Sequence, residues 1–453
     1  MSVDLSPGVA LRERFGDAVT TAEDEGWDAA RPAFNLLIDQ RPTAVATPST
    51  AAETAEIVRA ASELGLRIAP QGSAHNARPL GSLDDTLLLR FGRMTAVELD
   101  PDAPSARVEA GARWWDVVPA ASELGLAALH GSSPELNVVS YSLGGGMGWQ
   151  ARKHGLQCNR VKAIELVTAD GAERRVDAGN EPDLFWALRG GGGNFGAVTA
   201  IEFELLPLPE LYAGALFFGF DRASEVLHAW RTWTESAPEE VTSVGRLIQL
   251  PDLELIPEIV RGKSFTVVEA AFLGGEEEGR ELMAPLRDLG PEMDTFALVP
   301  PAGLSELHMD PVDPVPYMSG HALVGDLPAE AIEELVAATG PGSGSPLLSV
   351  EVRHCGGALA REAPGGGALA ALPGSYMTFG VGAVMAPEMV PPLEATLGRL
   401  GEVFAPYDAG RYSSFTEESY DVATMFSPPA LERLRAVRAQ FDPDGIFRAC
   451  HPV

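Results

Sequence analysis

The sequence predicts an α+β protein, and three observations carry that prediction. Short β-like runs interleave with helical patterns over residues 41–207. Strands and long amphipathic helices then alternate over residues 211–405, and glycine-rich turns punctuate both regions. At 453 residues the chain exceeds one ordinary core and calls for two or three domains. Its 45% hydrophobic and 21% charged residues are ordinary for a globular enzyme. A formal net charge of −31 argues against nucleic acid, because phosphate binding needs clustered Lys and Arg. Cys158, Cys355 and Cys450 are odd in number, far apart and without CxxC spacing, so neither a disulfide frame nor a zinc site is indicated. Residues 1–17 mix charges without an apolar leader core, and no apolar stretch of membrane-spanning length follows. The expectation is a cytoplasmic protein with no membrane partner.

Taken in order, residues 1–40 read as a helical lead-in and residues 41–47 as extended. Ser49-Thr50-Ala51-Ala52-Glu53 carries a capping pattern. It opens an amphipathic helix over 51–66, with apolar Ala55, Ile57, Val58, Ala61, Leu64 and Leu66. A β-run at 67–69 leads into Pro70-Gln71-Gly72-Ser73-Ala74-His75-Asn76, a turn of small residues ending in one histidine. That arrangement sets His75 at a strand end, where a ligand could approach closely; a hydrogen-bonded loop histidine fits the same residues. Strands follow at 86–89, 96–99 and 106–110, and a helix at 114–123 ends at Gly125.

Residues 131–149 form a long glycine-bearing segment, and 161–169 a strand closing on Asp170-Gly171. A helix at 183–188 runs into Arg189-Gly190-Gly191-Gly192-Gly193-Asn194-Phe195-Gly196, which satisfies GxGxxG at Gly191, Gly193 and Gly196. A dinucleotide fingerprint follows a strand and opens a helix. Here a helix precedes and a strand, 197–206, follows, so the Rossmann reading fails. Two readings remain: a backbone stripped of side chains to line a pyrophosphate, or a structural glycine turn.

Prolines at 207 and 209 mark a boundary. Beyond it, strands at 241–250, 264–273, 347–355 and 376–385 alternate with helices at 220–236, 277–289, 328–338 and 391–403. This predicts an antiparallel sheet with helices on one face. Alternation places Val350, Val352 and His354 on one face, and Glu351, Arg353 and Cys355 on the other. Residues 310–316, 340–346 and 363–367 are surface loops by composition. The tail contains Tyr412, Phe415, a helix at 429–440 and a closing hook at 441–448 that should pack back on an earlier domain.

Five stretches in this order (71–76, 131–149, 167–171, 183–196 and 441–448) resemble the FAD-linked oxidases of the berberine bridge enzyme type, within the vanillyl-alcohol oxidase superfamily. The resemblance covers nearly the whole chain. It implies a bipartite PCMH-type FAD-binding domain (1–207, with 406–453 returning to it) and a substrate domain (208–405) whose sheet roofs the isoalloxazine. It also implies FAD attached through His75 alone. The family's second link is a cysteine where this chain has Ser133, and a hydroxyl is a poor nucleophile beside a thiol. Cys158 does not stand in for it. By the same resemblance FAD contacts fall at Gln71, Gly72, Ser73, Ala74, His75, Asn76, Leu80, Gly81, Ser133, Leu136, Asn137, Val138, Tyr141, Gly144, Gly145, Asn194, Gly196, Val198 and Phe447.

Departures sharpen the expectation. Asn137 and Ser140 replace family glycines, where they would crowd the flavin or hydrogen-bond to it. Leu136 stands at the oxygen-access gate, as in dehydrogenases, and Tyr412-Ser413-Ser414 lacks the family's asparagine. The implied reaction is two-electron oxidation of a secondary metabolite or sugar-like alcohol, with hydride passing to flavin N5 and O2 or another acceptor closing the cycle. Tyr412 is the first candidate for base or orienting group, followed by Arg353 and His354. The alternative keeps the fold for a non-redox cyclisation or a binding scaffold. The eight histidines show no HxH or HExxH spacing, so a metal enzyme is discounted. A monomer or homodimer is expected.

Overall fold

The computed structural model describes residues 5–453 apart from 255 and 257. The first lobe opens on a four-stranded sheet in the order Val19–Thr20, Ala44–Ala46, Thr86–Arg90, Arg67–Gln71. Its last three strands are parallel, and the Ala51–Glu63 helix makes the crossover. Thr50 Oγ1 accepts from the Glu53 amide at 3.0 Å, and the Glu53 carboxylate accepts from the Ser49 amide at 2.7 Å. One of the first turn's otherwise unpaired donors and the amide just before the cap are thus met, which fixes where the helix starts. A second, antiparallel sheet runs Val97–Asp100, Ser105–Glu109, Ala197–Glu204, Val161–Val167, Glu173–Asp177. Ile57, Ile68, Leu87, Val108, Trp114, Ile164 and Phe203 belong to one core joining both sheets.

The tail completes this lobe. Ile68 donates to Ile446 O at 2.7 Å and Arg448 donates to Ile68 O at 2.8 Å, so the hook pairs with the strand that leads to His75. The Asp442 carboxylate bends the hook by accepting from the Ile446 and Phe447 amides at 2.8 and 3.1 Å. Phe447 is then fully buried in the first core.

The second lobe is an antiparallel sheet of nine strands among the described residues. Its central order is Leu211–Gly219, Ser264–Phe272, Val241–Gln249, Ser349–His354, Tyr376–Ala383, Tyr317–Val324. Helices Ala223–Thr234, Glu276–Arg287, Ala329–Thr339 and Val390–Phe404 cover one face over a core that includes Leu216, Trp230, Val268, Val350 and Val352. Period-2 alternation turns Arg246, Glu269, Glu351 and Arg353 to the opposite face. In register, Arg246 lies opposite Glu351, Glu351 opposite Phe379, and Phe379 opposite His321. Among the described residues no helix is long and apolar enough to cross a membrane.

Several expectations need correction. The lead-in is helical only at Pro7–Phe15 and Trp27–Ala30, because Gly16 takes a left-handed φ of +56° and ends the first helix; residues 1–4 lie outside the described residues. Strands Leu211–Gly219 and Tyr317–Val324 were not anticipated. The first is apolar on both faces and the second is interrupted by Ser-Gly-His, so neither alternates. The 310–316 loop is not wholly superficial, since Asp310 turns inward, and Gly367 in the 363–367 loop is buried. Phe447→Ala should lower the stability of the first lobe by about 3–5 kcal/mol, read as a lower denaturant midpoint of intrinsic fluorescence.

Candidate active site

The Arg67–Gln71 strand ends in the small-residue turn, and the structure shows why its residues are small. A Cβ on Gly72 would sit 2.6 Å from the Asn137 side chain. Ala74 adopts a left-handed φ of +65°, which exposes successive amides along the turn at some backbone strain. His75 lies 24% exposed, stacked on Phe34 with ring centroids 3.8 Å apart, and its Nε2 is 2.8 Å from Oε1 of the fully buried Glu135. Asn76 donates to Ser413 O at 3.0 Å, tying the turn to the tail.

Asn137 turns its side chain onto the protein's own backbone. Its Nδ2 donates to Ala110 O and Ala112 O at 2.7 and 3.0 Å, and its Oδ1 accepts from the Ser140 amide at 2.9 Å. The side chain therefore staples two loops and caps the Val138–Leu143 helix, while Ser140 is exposed. Gly144 O accepts from Ser414 Oγ at 2.9 Å. Gly145, at φ +121°, leaves no room for a side chain beside the Tyr412 hydroxyl. Tyr141 is half-buried against Trp114, and Leu136 is half-buried beside Gly131.

Other FAD candidates fall in less direct positions. Gln71 exchanges amide hydrogen bonds with Gln40, and Leu80 is buried beside Gly81 at a turn. Asn194 donates to Gly191 O and His451 O. Val138, Val198 and Phe447 are core residues, and Gly196 is pressed against Val167 O.

The catalytic expectations fare differently. Tyr412 is 1% exposed and its hydroxyl accepts the Gly146 amide at 2.7 Å. Burial raises its pKa above the ordinary phenol value, and the hydroxyl anchors the glycine segment. His354 stacks on Tyr376 at 5.7 Å, and burial, helped by Arg152, holds it down to about 3. Arg353 lies at the predicted face, in a buried charge cluster that sequence reasoning missed. Cys158 is fully buried and burial pushes its thiol up to about 12, which leaves it unreactive.

That cluster is built around His308. Nδ1 lies 2.5 Å from Glu269 Oε2 and Nε2 lies 2.7 Å from Glu351 Oε2. Arg246 donates to Glu269 at 3.1 Å and Arg353 to Glu351 at 2.7 Å, while the Arg353 guanidinium lies 5.2 Å from the Phe415 ring centroid. Burial and Arg246 would lower His308, but Glu269, Glu351 and Asp310 outweigh them and hold it up at about 9. Burial would raise Glu351, yet Arg353 and His308 hold it well below the usual carboxylate range. Asp310 continues the cluster into the first lobe by accepting from Ser132 Oγ and Ser133 Oγ, each at 2.8 Å. Three cations face three carboxylates, so the site is charge-balanced. A cavity of about 10 Å³, enough for one water, adjoins Arg353, His354, Ser132 and Trp149.

Comparison with known proteins gives this geometry its chemistry. An FAD binding domain family matches residues 42–177. The chain is 28% identical to (R)-6-hydroxynicotine oxidase of Paenarthrobacter nicotinovorans over 460 residues, 94% of each chain. The chain thus resembles the FAD-linked oxidoreductases of the berberine bridge enzyme type. It is also 35% identical to glucooligosaccharide oxidase of Sarocladium strictum over 192 residues, 42% of this chain and 38% of that one. In fold it matches a variant of Physcomitrella patens BBE-like 1 with a TM-score of 0.86 at 19% identity, covering 98% of each chain. The flavoprotein oxidises a small molecule with FAD as cofactor, and the non-redox alternative gains no support.

The residues present fit that cofactor. Buried polar atoms without an aligned hydrogen bond gather around the turn: His75 Nε2, Asn76 Oδ1 and both Glu135 oxygens. Buried groups in a finished site are satisfied, so this concentration marks a place for a polar ligand. Arg90 donates to Gly72 O at 3.0 Å, has no carboxylate partner among the described residues, and suits an anion. Glu135, Arg246, Glu269, His308, Asp310 and Glu351 went unrecognised in the sequence. The available signal was a single charge inside each apolar strand, as in Val244-Gly245-Arg246-Leu247 and Val267-Val268-Glu269-Ala270.

The cluster sets a pH dependence. His308 is held above its ordinary value of 6.5, so its stabilisation is full below that value and is lost as pH rises through about 9. Glu351 is held low, so its contribution is present above 4.5 and lost only toward acid. The melting temperature should fall between pH 7 and 10, and by less in His308→Gln, as followed by circular dichroism.

Proposed function

We propose that the flavoprotein oxidises a hydroxyl-bearing carbon of a secondary metabolite or sugar-like alcohol, with FAD attached through His75. The likeness to an oxidase of hydroxynicotine and to one of glucooligosaccharides supports a polar, hydroxylated substrate. The observation that carries the reading is the buried Glu269–His308–Glu351–Arg353 network, on the sheet face turned toward the glycine-lined lobe. When bound, FAD supplies the two-electron acceptor, taking hydride at N5.

The chain's own residues handle the proton. Arg353 holds Glu351 in place and offers its remaining N–H groups to a substrate oxygen. His308, between two carboxylates, is the proton store: protonated at neutral pH, it becomes an acceptor as pH rises through about 9. Leu136 at the gate favours an acceptor other than dioxygen.

Purified protein should be yellow, with colour staying in the acid-precipitated pellet; in His75→Ala it should pass to the supernatant. A colourless protein that cannot be loaded with FAD would remove the proposal. Glu351→Gln should keep the flavin spectrum yet slow anaerobic flavin reduction by a hydroxylated substrate about 100-fold or more. In the wild type that rate should rise with pH toward a plateau above about 9; a flat profile in stopped-flow absorbance would exclude His308 as the store.

A further inference from the structure

Glu135 has no evident structural reason to be a carboxylate. It lies in the glycine-bearing segment with a side chain 0% exposed, and neither oxygen has an aligned hydrogen bond. Burying such a group without a partner is costly, and the polar contact it does have is with His75 Nε2 at 2.8 Å. The contact is out of line for a finished hydrogen bond, so a small rotation completes it. Phe34, stacked on the imidazole at 3.8 Å with planes 23° apart, limits the ring's other movements. The second carboxylate of this corner, Glu417, already accepts from Tyr317 Oη at 2.8 Å. Nδ1 is the ring nitrogen left without a protein partner among the described residues.

We propose that Glu135 is the positioning residue that prepares His75 for attachment to the 8α carbon of FAD, a role that rests on the His75 linkage proposed above. A carboxylate on one imidazole nitrogen fixes the tautomer and leaves the lone pair on the other, the logic by which a buried Asp orients a catalytic His. Glu135 holds the Nε2 proton, so Nδ1 is the nucleophile. As the Nδ1–C8α bond forms, one C–H bond of the 8α methyl and the Nε2–H bond break. The Nε2 proton passes to Glu135. The electron pair of the C–H bond passes into the ring system and leaves to a two-electron acceptor with the methyl proton and the proton relayed by Glu135, dioxygen giving hydrogen peroxide.

Apoprotein from riboflavin-limited cells, mixed with FAD, allows covalent attachment to be timed by flavin fluorescence in denaturing gels. The wild type should couple, Glu135→Gln should bind FAD non-covalently and couple at least about 100-fold more slowly, and Glu135→Asp should recover part of the rate. Equal rates in wild type and Glu135→Gln would overturn the role of Glu135 while leaving the linkage intact. No covalent flavin in the wild type would overturn the linkage itself, and this inference with it. If Glu135→Gln fails to fold, the wild-type linkage isomer decides. Heteronuclear NMR of the flavinyl peptide should connect the 8α methylene to the imidazole through Nδ1, and a connection through Nε2 would sink the proposal.

Discussion

Tyr412 joins the tail to both the glycine segment and the substrate sheet. Tyr412 reaches from the tail into the glycine segment, accepts the Gly146 amide, and receives in its own backbone N–H the lone pair of His321 Nε2 from the sheet. Burial lowers His321 to about 3, so the ring stays neutral and able to accept. One residue thus ties tail, cofactor lobe and substrate sheet with two directed bonds in a dry setting, where each is hard to replace. The empty space at Gly145 is the condition for this joint, because any side chain there would displace the phenol ring.

Given that joint, the sheet's polar face is held at a set distance from the glycine-lined lobe. The charge cluster then solves a problem the fold creates. Arg246, Glu269, His308, Glu351 and Arg353 are all buried, and unpaired charges there would be intolerable. Alternating signs across neighbouring strands, with Asp310 linking to Ser132 and Ser133, remove the net charge while keeping proton-active groups in place. A polar substrate can be met there without the site collapsing into hydrocarbon.

Local signals made most of the fold legible. The helix at Ala51–Glu63 has both its cap and its apolar stripe in sequence, and Trp114–Glu123 coincides with its expected bounds. Leu211–Gly219 escaped because a strand buried on both faces carries no alternation. The histidine turn was readable because small residues cluster there for a steric reason. The charge cluster was not, since His308 lies 39 residues from Glu269, on a turn outside the sheet, and only tertiary packing brings them together. Motif position offered Tyr412 as a base or orienting group, while its bond to the Gly146 amide is a matter of packing that the sequence does not carry.

The hook that pairs with Ile68 bears on the order of events during synthesis. The strand that carries the chain to His75 gains its last neighbour from residues 446–448, about 380 positions later. Asn76 likewise waits for Ser413, and Glu135 sits between these two points in the chain. While the ribosome is still making the substrate lobe, the cofactor corner has its histidine and its carboxylate but not the segment that closes the lobe. The strand that delivers His75 therefore gains this neighbour only after residues 446–448 have been made.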